Sequence, residues 1–152
     1  MTLQLWQRNV IGAVVAAAAL GVGVTFVTQP AWDRYQRTVH PPQTAAAGES
    51  VAAGGQTWMV RNVSRSTTAP GSGRALPEGT VIVNVLIERV GPSMAGSGCT
   101  GYLVAAERHW RGNGMCGAET SMPMTFLVPA ATEPTAVDIR DVTGAILVRL
   151  EL

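Results

Sequence analysis

The stretch Thr80–Arg89, TVIVNVLIER, decides how the rest of the chain is read. It is apolar at nearly every position and rich in β-branched residues, which suit a pleated strand better than a helix. Such a run reads as a central strand, with Val81, Val83, Val85 and Ile87 on its better-buried face.

Outward from it, the pattern has period two. In Ser121–Val128, Met122, Met124, Phe126 and Val128 share a face. In Ala145–Leu152, Ile146, Val148, Leu150 and Leu152 point one way, and Arg149 and Glu151 the other. Val137 and Ile139 alternate with Asp138 and Arg140. Alternation of this kind marks antiparallel strands with one buried and one wetted face. Turn signals separate the runs: Gly54-Gly55, Pro70-Gly71-Ser72-Gly73, Pro77-Glu78-Gly79, Gly91-Pro92, Asn113-Gly114 and Asp141–Gly144. About seven short strands in roughly 105 residues predict an immunoglobulin-like antiparallel β-sandwich, and the fold class is mainly β.

The succession Gly48-Glu49-Ser50-Val51, then Gly55-Gln56-Thr57-Trp58-Met59-Val60, then a long strand led by Pro77-Glu78-Gly79, resembles a known family. The later Phe126-Leu127-Val128-Pro129 and Val137-Asp138-Ile139 fit it too. This is the immunoglobulin-like domain of unknown function found behind signal anchors and lipoprotein signals in Gram-positive and actinobacterial envelopes. The resemblance covers Gly48 to Leu152 and rests on strand patterns. It implies a fold and an extracytoplasmic location, and brings no catalytic residues with it.

Before this domain lies VIGAVVAAAALGVGVTFV, Val10–Val27, without a charge. About 18 helical residues span roughly 27 Å, just enough for the hydrocarbon core of a bilayer. Trp6 precedes the stretch, and Trp32 and Tyr35 follow it, where an interfacial aromatic belt sits. A cleaved signal peptide is the competing reading, but the run is longer than a usual signal core and has no A-x-A pattern. The expected division is a cytoplasmic head (1–9), a transmembrane helix (10–29), a juxtamembrane segment and linker (30–47), and a β domain (48–152). Pro41-Pro42 must end any extension of the helix, and Gln43–Ala47 read as a tether. Flanking charges scarcely decide orientation, because Arg8 faces Arg34 and Arg37, the latter two partly offset by Asp33. A short head that stays inside, and two cysteines suited to an oxidising compartment, favour an extracytoplasmic C-terminal domain. Gly12, Gly21 and Gly23 give the helix a small-residue surface, a candidate docking face for another helix. Genome composition accounts equally well for those glycines.

Cys99 and Cys116 are the two cysteines, seventeen positions apart. A bridge closing a loop of that size stabilises by about 3 kcal/mol in the chain-entropy model. Redox pairs usually stand much closer in sequence, so a structural disulfide is expected. The bridge would clasp a hairpin, Gly101–Ala106 followed by Arg108–Arg111.

A formal net charge of +1 is too balanced for a nucleic-acid binder that works by neutralising phosphates. All eleven basic residues are Arg, which with the abundance of Ala, Gly and Val resembles the coding bias of a GC-rich, actinobacterial genome. Met115, Cys116, Met122 and Met124, with His109 and Cys99, form a candidate soft-metal set suited to Cu(I). Against that, Met122 and Met124 share the core face of Phe126 and Val128, and Cys116 has a partner in Cys99. An enzyme needs a positioned acid, base or nucleophile. His40 adjoins two prolines, His109 falls at an expected hairpin tip, and Glu88, Glu107, Glu119, Asp138 and Asp141 are scattered over surface-facing positions. Asn62-Val63-Ser64 matches a glycosylation acceptor, read here as chance within a strand. No cofactor is expected. Trp110, flanked by Arg108 and Arg111, is a candidate anchor for a partner, because Trp and Arg are enriched at hot spots. Trp110 also reads as a cover for one end of the sandwich. The long Gly-, Ser-, Thr- and Pro-rich loop Ser64–Gly79 adds Arg65 and Arg74 as candidates, with plain disorder the more common reading of such a loop. The expected function is a non-catalytic interaction module, an accessory or assembly subunit of an envelope or membrane complex. The alternative is a small-ligand or copper-binding envelope protein.

Overall fold

The computed structural model describes residues 4–92, 98–116 and 119–152. The first residues of the expected N-terminal head, and the side chain of Met115 from the soft-metal set, lie outside what it describes. The chain divides into two compact units, Met1–Arg37 and Thr38–Leu152.

The first unit is helical. Helix α1 (Leu5–Gly23) runs through a π-helical turn (Val24–Thr28) into α2 (Gln29–Val39). Trp6–Val39 is long and apolar enough to cross a membrane. At its start the Gln7 N–H donates to the Gln4 carbonyl, and the Gln4 N–H to the Gln7 side chain. At the π turn the Gln29 N–H reaches back to the Val24 carbonyl. Pro30 follows at once, lacking an N–H and crowding the carbonyl four residues before it. A wider turn at this point gives that carbonyl room. The Thr25 hydroxyl donates to the Gly21 carbonyl at 2.5 Å within the same stretch. The helix ends at Val39, before Pro41-Pro42, as the prolines require.

Among the described residues the second unit holds nine strands, where about seven were expected: β1 (Thr44–Ala45), β2 (Ser50–Ala53), β3 (Gln56–Ser66), β4 (Thr80–Val90), β5 (Cys99–Ala105), β6 (Arg108–Met115), β7 (Ser121–Pro129), β8 (Ala136–Asp141) and β9 (Ile146–Glu151). They join in the order β1-β9-β8-β5-β6-β7-β4-β3-β2. All pairings are antiparallel except β1 with β9, so the sheet is mixed where a purely antiparallel one was expected. That parallel pair sets Thr44 and Ala45 against Arg149 and Leu150. The segment expected as a tether thus contributes a strand, and Ala45 is buried by it.

One core takes side chains from both ends of this order. Trp58, Val83, Val85, Ile87, Met122, Met124, Phe126 and Val128 come from β3, β4 and β7, and Leu103, Val137, Ile139, Val148 and Leu150 from β5, β8 and β9. The inward faces of β4, β7 and β9 are the ones their periodicity marks. Trp58 is 1% exposed, and its indole N–H donates to the Ala53 carbonyl at 3.0 Å. Arg89 continues the inward face of β4 and stacks over that indole, 6.0 Å from the ring centroid.

Strand β6 links the two halves. It pairs with β5 through Arg108–Arg111 and again at Met115 opposite Thr100, and with β7 at Asn113 opposite Thr125. The Asn113-Gly114 pair, expected as a turn, therefore lies inside a strand, at the register shift between β6 and β5, where Asn113 meets β7. The hairpin tip is Ala106-Glu107 instead, between the paired Ala105 and Arg108. Strand β3 runs on through Ser66, so the expected loop Ser64–Gly79 is shorter than read. Within it the Ala69 N–H donates to the Arg74 carbonyl, the Leu76 N–H to the Thr67 carbonyl, and Thr68 bridges Ala75.

Candidate functional site

Past Asn113 and Thr125, β6 and β7 form no further pairing among the described residues. Two glycines set this geometry. A Cβ on Gly112 would stand 2.7 Å from the Phe126 ring, and one on Gly114 2.8 Å from the Pro123 carbonyl oxygen. Their bare backbones let the strands approach closely there. Beyond that point lies a groove of about 540 Å³. Trp110 and Arg108 line it from β6, Pro129 from β7, and Thr132, Glu133 and Thr135 from the β7–β8 connection, with Ala106 at its lip.

The groove has a firm frame. Trp110 is half-buried and packs against the core on one side. Its two readings, as an end cover and as an exposed anchor, therefore both describe it. The Arg65 guanidinium, from β3, donates to the Thr132 carbonyl and fixes the connection. The Thr132 N–H donates to the Pro129 carbonyl, and the Thr135 N–H to that of Val104. At the lip, Ala106 has φ 51°, a left-handed conformation that costs a residue with a Cβ about 1 kcal/mol. Glycine is the usual occupant of such a position in a two-residue hairpin.

Of the five candidate partner-binding residues, the structure brings Arg108 and Trp110 into the groove and Arg65 to its frame. Arg111 points to the other face of β6, in register with Tyr102. Arg74 is exposed in the β3–β4 connection, which supplies no groove-lining residue. Glu133, Thr132, Thr135 and Pro129 were not foreseen. Only the parting of β6 from β7 assembles them, and no local pattern announces it.

The face bearing Arg111 also carries the main electrostatic feature. Asp138, expected at the surface, is fully buried among arginines. Arg149 grips it from β9, Nε to Oδ1 at 2.6 Å and Nη2 to Oδ2 at 2.9 Å. Arg140 adds a contact at 3.5 Å and stacks on the Tyr102 ring at 4.9 Å. The hydrogen bonds to Asp138 raise the Arg149 pKa above its ordinary value, against the lowering by desolvation. A carboxylate held this way is committed to structure.

Cys99 and Cys116 form a disulfide, with Cα atoms 5.0 Å apart. Met122 and Met124 are buried in the core. Met115 apart, the sulfur ligands proposed for a soft metal are thus bonded to each other or buried in the core. Among the described residues no group of three His, Cys, Asp or Glu side chains converges. His109, expected at the hairpin tip, sits within β6 and is exposed.

In the helical unit, Gly12 and Gly23 fall on one side. Eleven steps of about 100° bring them within about 20° of each other, whereas Gly21 lies roughly opposite. A dent of about 470 Å³ follows Ala19, Gly23, Val24 and Thr28 along the π turn.

No protein-family model, curated protein or solved structure matches the chain.

Proposed function

We propose that this chain is a single-pass membrane protein whose extracytoplasmic β domain binds a partner without catalysing a reaction, as an accessory or assembly subunit of an envelope or membrane complex. The observation that carries the reading is the groove between β6 and β7. It is open, framed by hydrogen bonds, and presents a half-buried Trp beside Arg108 and Glu133. Aromatic residues flanked by charge, on a rigid frame, are what interfaces favour. An N-inside, C-outside orientation is supported by the disulfide, which persists in oxidising compartments. The shared core of the two sheet halves, joined through β6, supports the immunoglobulin-like sandwich and the envelope-domain family it resembles. The side of the helix bearing Gly12 and Gly23 is a second candidate contact, made within the bilayer. A non-catalytic role is supported by the commitment of Asp138 to Arg149 and of Glu88 to Arg61, at 2.6 Å each.

Affinity purification of the full chain from native membranes in mild detergent tests the proposal. A larger membrane or envelope protein should accompany the wild type and be lost with Trp110→Ala, provided the variant melts like the wild type. Repeated recovery of the wild-type chain alone overturns it.

A further inference from the structure

The groove has one property that narrows the partner's chemistry. An antiparallel strand directs the N–H and C=O groups of alternate residues to its two sides. Over Arg108–Arg111, β6 has β5 on one side and no strand on the other among the described residues. The same holds for Phe126–Pro129 of β7, which pairs there with β4 alone. Continued pairing would set Arg111 opposite Leu127 and His109 opposite Pro129, yet the strands part after Asn113. Two strand edges thus flank the groove with backbone groups unmatched by another strand.

We infer that the ligand of this site is an extended, acidic segment of another protein, which adds as a strand along the free edge of β6. This rests on the partner-binding reading above and specifies its chemistry. Strand addition takes its affinity from main-chain hydrogen bonds and its selectivity from alternate side-chain positions. Here the alternation has two distinct sides. Inward, Trp110 offers an apolar surface with the Arg108 cation beside it, and Glu133 also lines the groove. Outward, Arg111 is exposed in register with Tyr102, and Leu127 is 55% exposed across the gap. The matching segment sets an apolar residue on Trp110, with one carboxylate on its inward side within reach of Arg108 and one on its outward side within reach of Arg111. On β7 the edge is poorer, since Pro129 has no N–H to give. That selects β6 as the strand the segment pairs with.

The test is site-specific photo-cross-linking of the full chain in native membranes, with a benzophenone amino acid replacing His109, Leu127 or, as a distant control on β3, Asn62. The expected result is one partner segment captured from both 109 and 127 and not from 62. The double variant Arg108→Glu/Arg111→Glu should lower that yield at least tenfold. An unchanged yield overturns the acidic chemistry. Capture of a second copy of this chain overturns the heterologous partner. Absence of adducts at 109 and 127, while purification still recovers a Trp110-dependent partner, overturns strand addition and leaves the broader reading standing. If purification recovers the chain alone, both fall.

Discussion

At the scale of single residues, two buried side chains carry contrasting kinds of stability. Trp58 fills the middle of the core and satisfies its N–H on Ala53. Trp58→Ala removes a large apolar surface and leaves a cavity that a sheet cannot close, so a loss of about 3–5 kcal/mol is expected by urea denaturation. Asp138 is different, because its worth lies in its partners. Asp138→Ala leaves Arg149 and Arg140 facing each other without a counter-charge. Breaking a buried pair costs about 3–5 kcal/mol, and the lower end applies because both arginines keep some contact with water. Arg149→Met should cost less, since Arg140 still contacts the carboxylate. The pH dependence follows from the sign of the Arg149 shift. A group whose pKa is raised on folding stabilises fully below its unfolded value and loses that contribution only as pH rises through the folded one. Both values lie far above neutrality, so the stability that Arg149 adds should stay flat from neutral to moderately alkaline pH. A marked decline in the wild-type minus Arg149→Met difference over that range would refute the assignment.

At the scale of elements, β6 shows what makes a site form. Its glycines set how closely it meets β7. Gly112→Ala should cost about 1–3 kcal/mol by forcing the Phe126 ring aside. Adding Phe126→Leu should recover part of that cost, so that the double variant unfolds at less than the sum of the single losses. Strict additivity would mean that the two residues do not meet. The disulfide next to this strand is expected to contribute about 3 kcal/mol, read as the drop in stability of the Cys99→Ser/Cys116→Ser variant. This element also marks where the sequence stops being legible. The buried faces of β4, β7 and β9 follow from period-two alternation, because one row of side chains meets the core. The groove does not, because it arises where β6, still paired with β5, parts from β7. There Asn113-Gly114 carries the residue types of a turn but serves a close strand approach. Two-residue β1 is invisible for a related reason. Thr44-Ala45 has no period to read, and only its pairing with β9, about a hundred residues later, makes it a strand. Asp138 misleads as well, since a charge in an alternating strand normally points to water, and only Arg149 and Arg140 together bury it.

At the scale of the whole molecule, the two units present different surfaces. The β unit hides its apolar residues in a shared core, while the helix leaves Val14, Leu20, Phe26 and Val27 more than half exposed. Isolated in water, a row of this kind is costly, whereas a bilayer covers it. Replacing Leu20 with Arg puts a charge near the middle of the apolar run, where insertion becomes less favourable by about 2.5–3.5 kcal/mol plus the lost contribution of Leu. The expected outcome is a shift of the chain from the alkali-resistant membrane fraction to the soluble or degraded pool, whereas Trp6→Arg, at the edge of the run, should leave it in the membrane. The same framework predicts direction. With the C-terminal unit outside, a thiol-reactive reagent that cannot cross membranes should label a cysteine placed at exposed Val142 in intact cells, and should miss one placed at Gln7. The reverse labelling would place the disulfide in a reducing compartment and overturn the orientation, because neither Arg8 nor the Arg34 and Arg37 pair holds it strongly. The proposed orientation rests on the disulfide more than on the charges beside the helix.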